Sequence, residues 1–203
     1  MGECGWRIGG RADYADGRYR INDEEATCRI ASVADFYKKV LEETPIKIEK
    51  HEKFFRIGEQ SALVIALALL VLRRADLTGM TGFGSTAIVG CGDEGSHTGN
   101  LTYWRDYVDN GRVAAQGHLF VGTLASTPLC QLALVLGCHA PVFYVSAAAG
   151  TGSVSAEMDF LADRCDSMFL VESGVDFCRC LFLRRDDAGL ASHEAVRAMG
   201  DAG

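Results

Sequence analysis

Val142-Phe-Tyr-Val145, Ser146-Ala-Ala-Ala-Gly-Thr-Gly-Ser153 and Ser167-Met-Phe-Leu-Val171 are the stretches that decide the fold class. The first is a short β-branched and aromatic run, which reads as a strand. The second is a turn of small residues. From Val154 to Asp163, Met158, Phe160 and Leu161 then recur at helical spacing. The third stretch is another strand, running into Glu172-Ser-Gly-Val, and Cys178 to Leu183 reads as a further one. Strand, turn, helix and strand in this order form the repeating unit of an α/β protein with a largely parallel sheet.

The alternation continues upstream. Glu59 to Leu72 is apolar almost all round, which predicts a helix buried between a sheet and another layer. Ser85-Thr-Ala-Ile-Val-Gly90 is a glycine-bounded buried strand, followed by the loop Cys91-Gly-Asp-Glu-Gly-Ser96. Asn100 to Asn110 carries Leu101, Trp104, Tyr107 and Val108 at helical spacing, with Gly111 as its C-cap. Ser126-Thr-Pro128 opens a helix that Gly137 closes. Val33, Phe36, Tyr37, Val40 and Leu41 mark a helix that Ser32 caps, and Pro45 stops the segment. The first thirty residues read as one or two short strands or an irregular arm, and Asp186 onward as a polar tail with a short helix.

The bulk properties exclude several classes. With 203 residues, 48% of them hydrophobic, the chain buries a core without disulfides or metals. A net charge of -7 argues against a nucleic-acid partner, because neutralising phosphates takes clustered Lys and Arg. Arg73-Arg74 and Arg184-Arg185 read as solvated ends of elements. The eight cysteines contain no Cys-x-x-Cys pair, so no metal site is expected, and they read as small buried hydrophobes in a reduced, cytoplasmic protein. The polar, glycine-rich stretch Met1 to Gly10 is not expected to be a secretory signal, and Ala62 to Leu72 falls short of the roughly 20 residues that span a bilayer.

Gly82-Phe-Gly84 and Gly150-Thr-Gly152 complete neither a dinucleotide fingerprint nor a P-loop, and no cofactor is expected. Cys91, Asp93, Glu94 and His97 form a dense polar cluster. Cys91 as nucleophile with His97 as base is one reading; a solvated glycine loop is the other. Tyr103, Trp104 and Tyr107 on one helix either pack on the sheet or mark a subunit interface, where aromatics are enriched.

Three segments in order resemble the β-ketoacyl synthase family of thiolase-like condensing enzymes. Tyr103-Trp-Arg-Asp-Tyr-Val-Asp-Asn-Gly-Arg112 is similar to a family helix ahead of the dimer interface, and Leu119 to Gly137 to the segment and helix that follow it. Ala140-Pro-Val-Phe-Tyr-Val-Ser-Ala-Ala-Ala149, a helix and Leu170-Val-Glu-Ser-Gly-Val-Asp176 resemble the nucleophile region, and Glu59 to Leu77 an early helix. The resemblance covers residues 55 to 185. It implies half of a thiolase-like fold: an arm and helix over 1–50, a synthase-like N-terminal domain over 51–185 and a tail over 186–203.

Aligned on Pro141, the resemblance puts Ala149 where the family carries its nucleophilic Cys. An alanine methyl cannot form the acyl thioester that a thiolate forms. Ala148 and Gly150, one residue either side, are equally inert, and the hydroxyls of Ser146 and Thr151 have no base in sequence reach. The family's second half, which supplies its basic catalytic residues, is not expected in this chain. A vestigial turn at Ser146, Ala148, Ala149, Gly150 and Thr151 is therefore expected, its backbone N–H groups able to hold a carbonyl or carboxylate at a helix N-terminus.

The resemblance also implies a dimer, with Leu119, Phe120, Val121, Thr123 and Leu124 as an interface strand pairing with its two-fold copy. The expected function is a non-catalytic synthase-like protein, a homodimer or a partner of a condensing enzyme or acyl carrier protein in fatty-acid or polyketide assembly. Arg105 and Arg112 offer a carrier-protein contact, although a net acidic domain steers an acidic partner poorly. The alternatives are a residual acyl-thioester enzyme, acyltransferase or decarboxylase, without a Cys nucleophile, and an acyl-ligand-binding scaffold or regulator.

Overall fold

The computed structural model describes residues 5–22, 24–25, 29–44, 57–75, 77, 82–92, 96–114, 117–146, 151–174, 176–186 and 189–200. One seven-stranded sheet runs through the molecule in the order β3-β2-β1-β7-β6-β4-β5. Its strands are β1 (Gly5–Ala15), β2 (Arg18–Ile21), β3 (Glu24–Glu25), β4 (Thr86–Gly92), β5 (Val142–Ser146), β6 (Ser167–Ser173) and β7 (Phe177–Asp186). The helices are α1 (Val33–Glu43), α2 (Glu59–Arg74), α3 (His97–Ala114), α4 (Gly117–Val121), α5 (Thr127–Leu136), α6 (Thr151–Ala162) and α7 (Ser192–Gly200).

The sheet is mixed, but its parallel part is smaller than the alternation predicts. β4 pairs in parallel with β5 and β6, while β7 runs antiparallel to β6 and β1, and β1 to β2. The reason lies in connection length. β6 and β7 are joined by three residues, too few for the crossover that a parallel pair needs. The opening arm is a full strand: β1 pairs with β7 along its whole length, with an irregularity between Ile8 and Gly10. That bulge changes which face successive residues take. Trp6 packs on one side of the sheet and Ala12 on the other, although both positions are even.

Two apolar layers sandwich the sheet. On one face α2, with α1 and α5 against it, covers Ile88, Phe169, Val171, Cys178, Cys180 and Phe182. α2 is buried from Ser61 to Leu72, which explains a helix with no polar face. On the other face α6 and α7 cover Ala87, Val89, Met168, Leu170, Leu181 and Leu183. The tail is thus part of the second layer through α7. Arg11 and Arg179 donate to the carbonyls of Ala198 (2.8 Å) and Met199 (3.1 Å) at the end of α7, satisfying acceptors that a helix leaves open. Asp13 and Glu172 hold the two guanidiniums in place.

Local signals at the helix ends match the sequence. Ser32 caps α1 by accepting from the Asp35 N–H at 3.3 Å. Gly137 closes α5 in the left-handed conformation, and Gly111, at φ 73°, interrupts the α3 segment where the sequence predicts a C-cap.

Candidate functional site

The three mutually parallel strands β5, β4 and β6 end side by side at Ser146, Gly92 and Ser173. Crevices at the carboxyl ends of parallel strands are where α/β folds bind ligands. The ends are drawn close together here. A Cβ on Gly92 would stand 2.2 Å from the Ser173 carbonyl oxygen, so only glycine fits. The Tyr144 hydroxyl donates to the Gly92 carbonyl at 2.9 Å, and Gln60 Nε2 donates to Ser173 Oγ at 3.3 Å, tying the start of α2 to the edge. Gln60, Tyr144 and Ser173 are not among the expected site residues, because they come from three distant segments and meet only in the fold.

Of the residues in the expected vestigial turn, Ser146 is the exposed last residue of β5, opposite Gly92. Thr151 is the first residue of α6. Ala148, Ala149 and Gly150 lie outside the described residues. β5 therefore leads to the N-terminus of α6 through a four-residue connection, 147–150, that contains no thiol and no hydroxyl.

The two members of the Cys91–His97 dyad, one of the two readings of that loop, lie in different environments. Cys91 is buried among the side chains facing α6, whereas His97 is exposed at the start of α3. Asp93 and Glu94 lie outside the described residues. Among the described residues no cluster of His, Cys, Asp and Glu is arranged for a metal ion, and no helix is long and apolar enough to cross a membrane.

A cleft of about 540 Å³ opens beside the strand ends, between the β1–β2 turn, the starts of α1 and α2, and the β6–β7 turn. Asp16, Glu59 and Asp176 outnumber Arg29 in its lining, which disfavours anionic ligands. Cys178 reaches its wall, but burial, aided by the nearby Asp13 and Glu172 carboxylates, pushes that thiol well above its ordinary pKa. Burial does the same to Cys180 and raises Cys138 to about 12. These thiols stay protonated at neutral pH and are poor nucleophiles.

The shifts fix a pH dependence. A thiol whose pKa is raised on folding stabilises the native state fully below its unfolded pKa, near 8.5. That contribution fades as pH climbs toward the folded value, about 12 for Cys138. Unfolding free energies from urea titration are therefore expected to fall above about pH 9, by up to about 1.4 kcal/mol per pH unit for each such thiol. Cys138→Ala should flatten the slope; an unchanged slope in that variant would remove Cys138 from the account.

The segment expected to form an interface strand is not a strand in the structure. Leu119, Phe120 and Val121 belong to α4, and Thr123 and Leu124 to the turn after it, with the Thr123 N–H bonded to the Phe120 carbonyl. A run as short as Leu119–Leu124 fits one helical turn as readily as a strand. Packing chooses: a Cβ on Gly99 would meet the Gly122 carbonyl oxygen at 2.0 Å, so α3 presses on this segment. The margins of the sheet are instead β5 and, at the far end, the two-residue β3. What α3 and α4 present together is an apolar surface: Leu101, Trp104, Val108, Phe120, Val121 and Leu124 are each at least 41% exposed. Tyr103 joins the two helices with its ring 5.7 Å from that of Phe120, and Trp104 stacks on Tyr107.

No family model and no curated protein matches this chain. Solved structures share its fold. One is a ketosynthase in complex with its chain length factor from Xenorhabdus doucetiae, with a TM-score of 0.53, 13% identity, and coverage of 89% of this chain and 79% of that one. Another is the ishigamide ketosynthase/chain length factor, with a TM-score of 0.58, 11% identity, and coverage of 91% and 63%. The chain thus spans less than two thirds of the second structure's length.

Proposed function

From the thiolase-like fold that this chain shares with ketosynthase and chain length factor structures, we propose that it is a non-catalytic accessory subunit of a condensing enzyme. It would pair with a complete ketosynthase in fatty-acid or polyketide-type chain assembly. One observation carries this reading: β5 leads to α6 as in the nucleophile region it resembles, yet the connection is Ala147-Ala148-Ala149-Gly150. A site with no thiol there cannot hold an acyl group by the family route.

The partner half of the proposal is supported by the surface. Exposed aromatic and aliphatic side chains on α3 and α4 form the kind of patch that marks a protein interface. β5, at the sheet margin, is short and carries no charge, so it has none of the usual charged protection of a strand edge. Both features suit a dimer with a related fold. The two solved neighbours are themselves a ketosynthase with its chain length factor.

The test is intact-mass analysis after incubation with an acyl thioester and, separately, with a cerulenin-like epoxide. No stoichiometric adduct is expected on the native chain, and no turnover of a malonyl thioester. An adduct mapped to one cysteine, such as Cys91 or Cys130, would show that the nucleophile has moved and would favour the residual acyl-thioester enzyme. Absence of adducts with no ketosynthase association would leave the acyl-binding scaffold as the better reading.

A further inference from the structure

A second cavity, of about 280 Å³, lies between the starts of α2 and α3, α4 and the start of α5. Its walls include Leu119, Val121 and Pro128, and its polar lining includes Gln60, Thr98 and Gln131. The Gln131 Oε1 atom is buried, and no group among the described residues donates a hydrogen bond to it. Two of the lining hydroxyls are engaged elsewhere: Thr127 donates to the Val121 carbonyl and Thr102 to the Thr98 carbonyl. A buried acceptor without a donor is costly to the fold, and at a cavity wall a water or a ligand can supply that donor.

The chemistry of that donor follows from the lining. Glu59, at the exposed rim, is the one charged side chain among the described residues around the cavity, so anions are disfavoured. A cation would also fare badly, because the only carboxylate among the lining residues is the exposed Glu59, and the neutral oxygens repay little of its lost hydration. A carboxamide suits the site best. Its N–H pairs with Gln131 Oε1, its carbonyl accepts from the Gln131 amide nitrogen, and an aliphatic body lies against Leu119, Val121 and Pro128. We propose that this cavity is a binding site for a small neutral aliphatic amide. The proposal does not depend on the chain pairing with a ketosynthase.

The probe is hexanamide, with hexanoate as its acceptor-only, anionic counterpart, titrated at millimolar concentration into ¹⁵N-labelled full-length chain. Hexanamide is expected to shift the Gln131 side-chain resonances and the Gly99 and Gly122 amides, and hexanoate to leave them in place. Gln131→Met keeps the side-chain length and removes the carboxamide, acceptor and donor together. That variant should weaken hexanamide binding at least tenfold, and its melting temperature should rise by about 2–4 °C as the unmatched acceptor disappears. Gln131→Leu provides a second variant if the first packs poorly. No hexanamide shifts up to its solubility limit, equal shifts from hexanoate, or undiminished binding to both variants would each overturn the proposal and leave a cavity that holds solvent alone.

Discussion

A Trp104→Glu, Leu124→Glu double variant is expected to fold normally and to lose the ketosynthase association proposed above. Both side chains are largely in solvent, 61% and 50% exposed, so their replacement removes little burial. Trp104 also gives up its stacking on Tyr107, at 5.9 Å between centroids, and such a pair is worth about 0.5–1.5 kcal/mol. The melting temperature should therefore fall by no more than about 6 °C. Association behaves differently. A buried interface tryptophan commonly contributes about 2 kcal/mol or more, which is roughly a 30-fold loss in affinity when it is removed. Two carboxylates introduced into a desolvated apolar patch add to that loss. Co-expression with a complete ketosynthase and size-exclusion chromatography of the pair measure it directly. A complex that survives the double substitution would place the interface away from α3 and α4, and β5 would then be the surface to alter.

The second large effect concerns the opening strand. Trp6→Ala is expected to destabilise the protein by about 3–5 kcal/mol, in the range for truncating a buried aromatic. Trp6 has no solvent exposure and lies in the apolar layer formed by α6 and α7. Its indole N–H donates to Ser192 Oγ at 3.2 Å, and its backbone bonds to Leu190 in both directions, so it anchors the start of α7 as well as β1. The loss is a large share of a domain's usual stability of about 5–15 kcal/mol. Trp6→Phe, which keeps most of the volume and gives up the N–H, should recover more than half of it. Urea unfolding of the three proteins is the measurement. A change below about 1 kcal/mol for Trp6→Ala would mean that the first strand is an appendage and not part of the core.

Several elements were readable before any coordinates. The all-apolar run after Glu59 can exist in water only as a helix covered on every side, and α2 is so covered. Gly137 and Ser32 mark helix ends through local geometry that needs no tertiary partner. The run Val142–Val145, the small-residue turn and the helix behind it declare a strand–turn–helix unit by period and composition, and the alanine at position 149 is a fact of the sequence alone. The resemblance to condensing enzymes, drawn from short motifs, agrees with a fold shared with ketosynthase and chain length factor structures at 13% and 11% identity.

Other features had no local signature. Leu119–Leu124 is compatible with both periods, and the close approach of Gly99 to Gly122 decides for a helical turn. The polar, glycine-rich opening residues read as short strands or as an irregular arm until β7 supplies a partner strand for β1 and α6 and α7 supply a cover for Trp6. The proportion of parallel pairing depends on which strands become neighbours, and β6 meets β7 through a three-residue connection. The clefts and the unmatched acceptor on Gln131 arise where segments far apart in the chain come together. Period, composition and capping act within a few residues and are written in the chain; pairing, close approach and cavity shape are relations between distant residues, and only the packed molecule defines them.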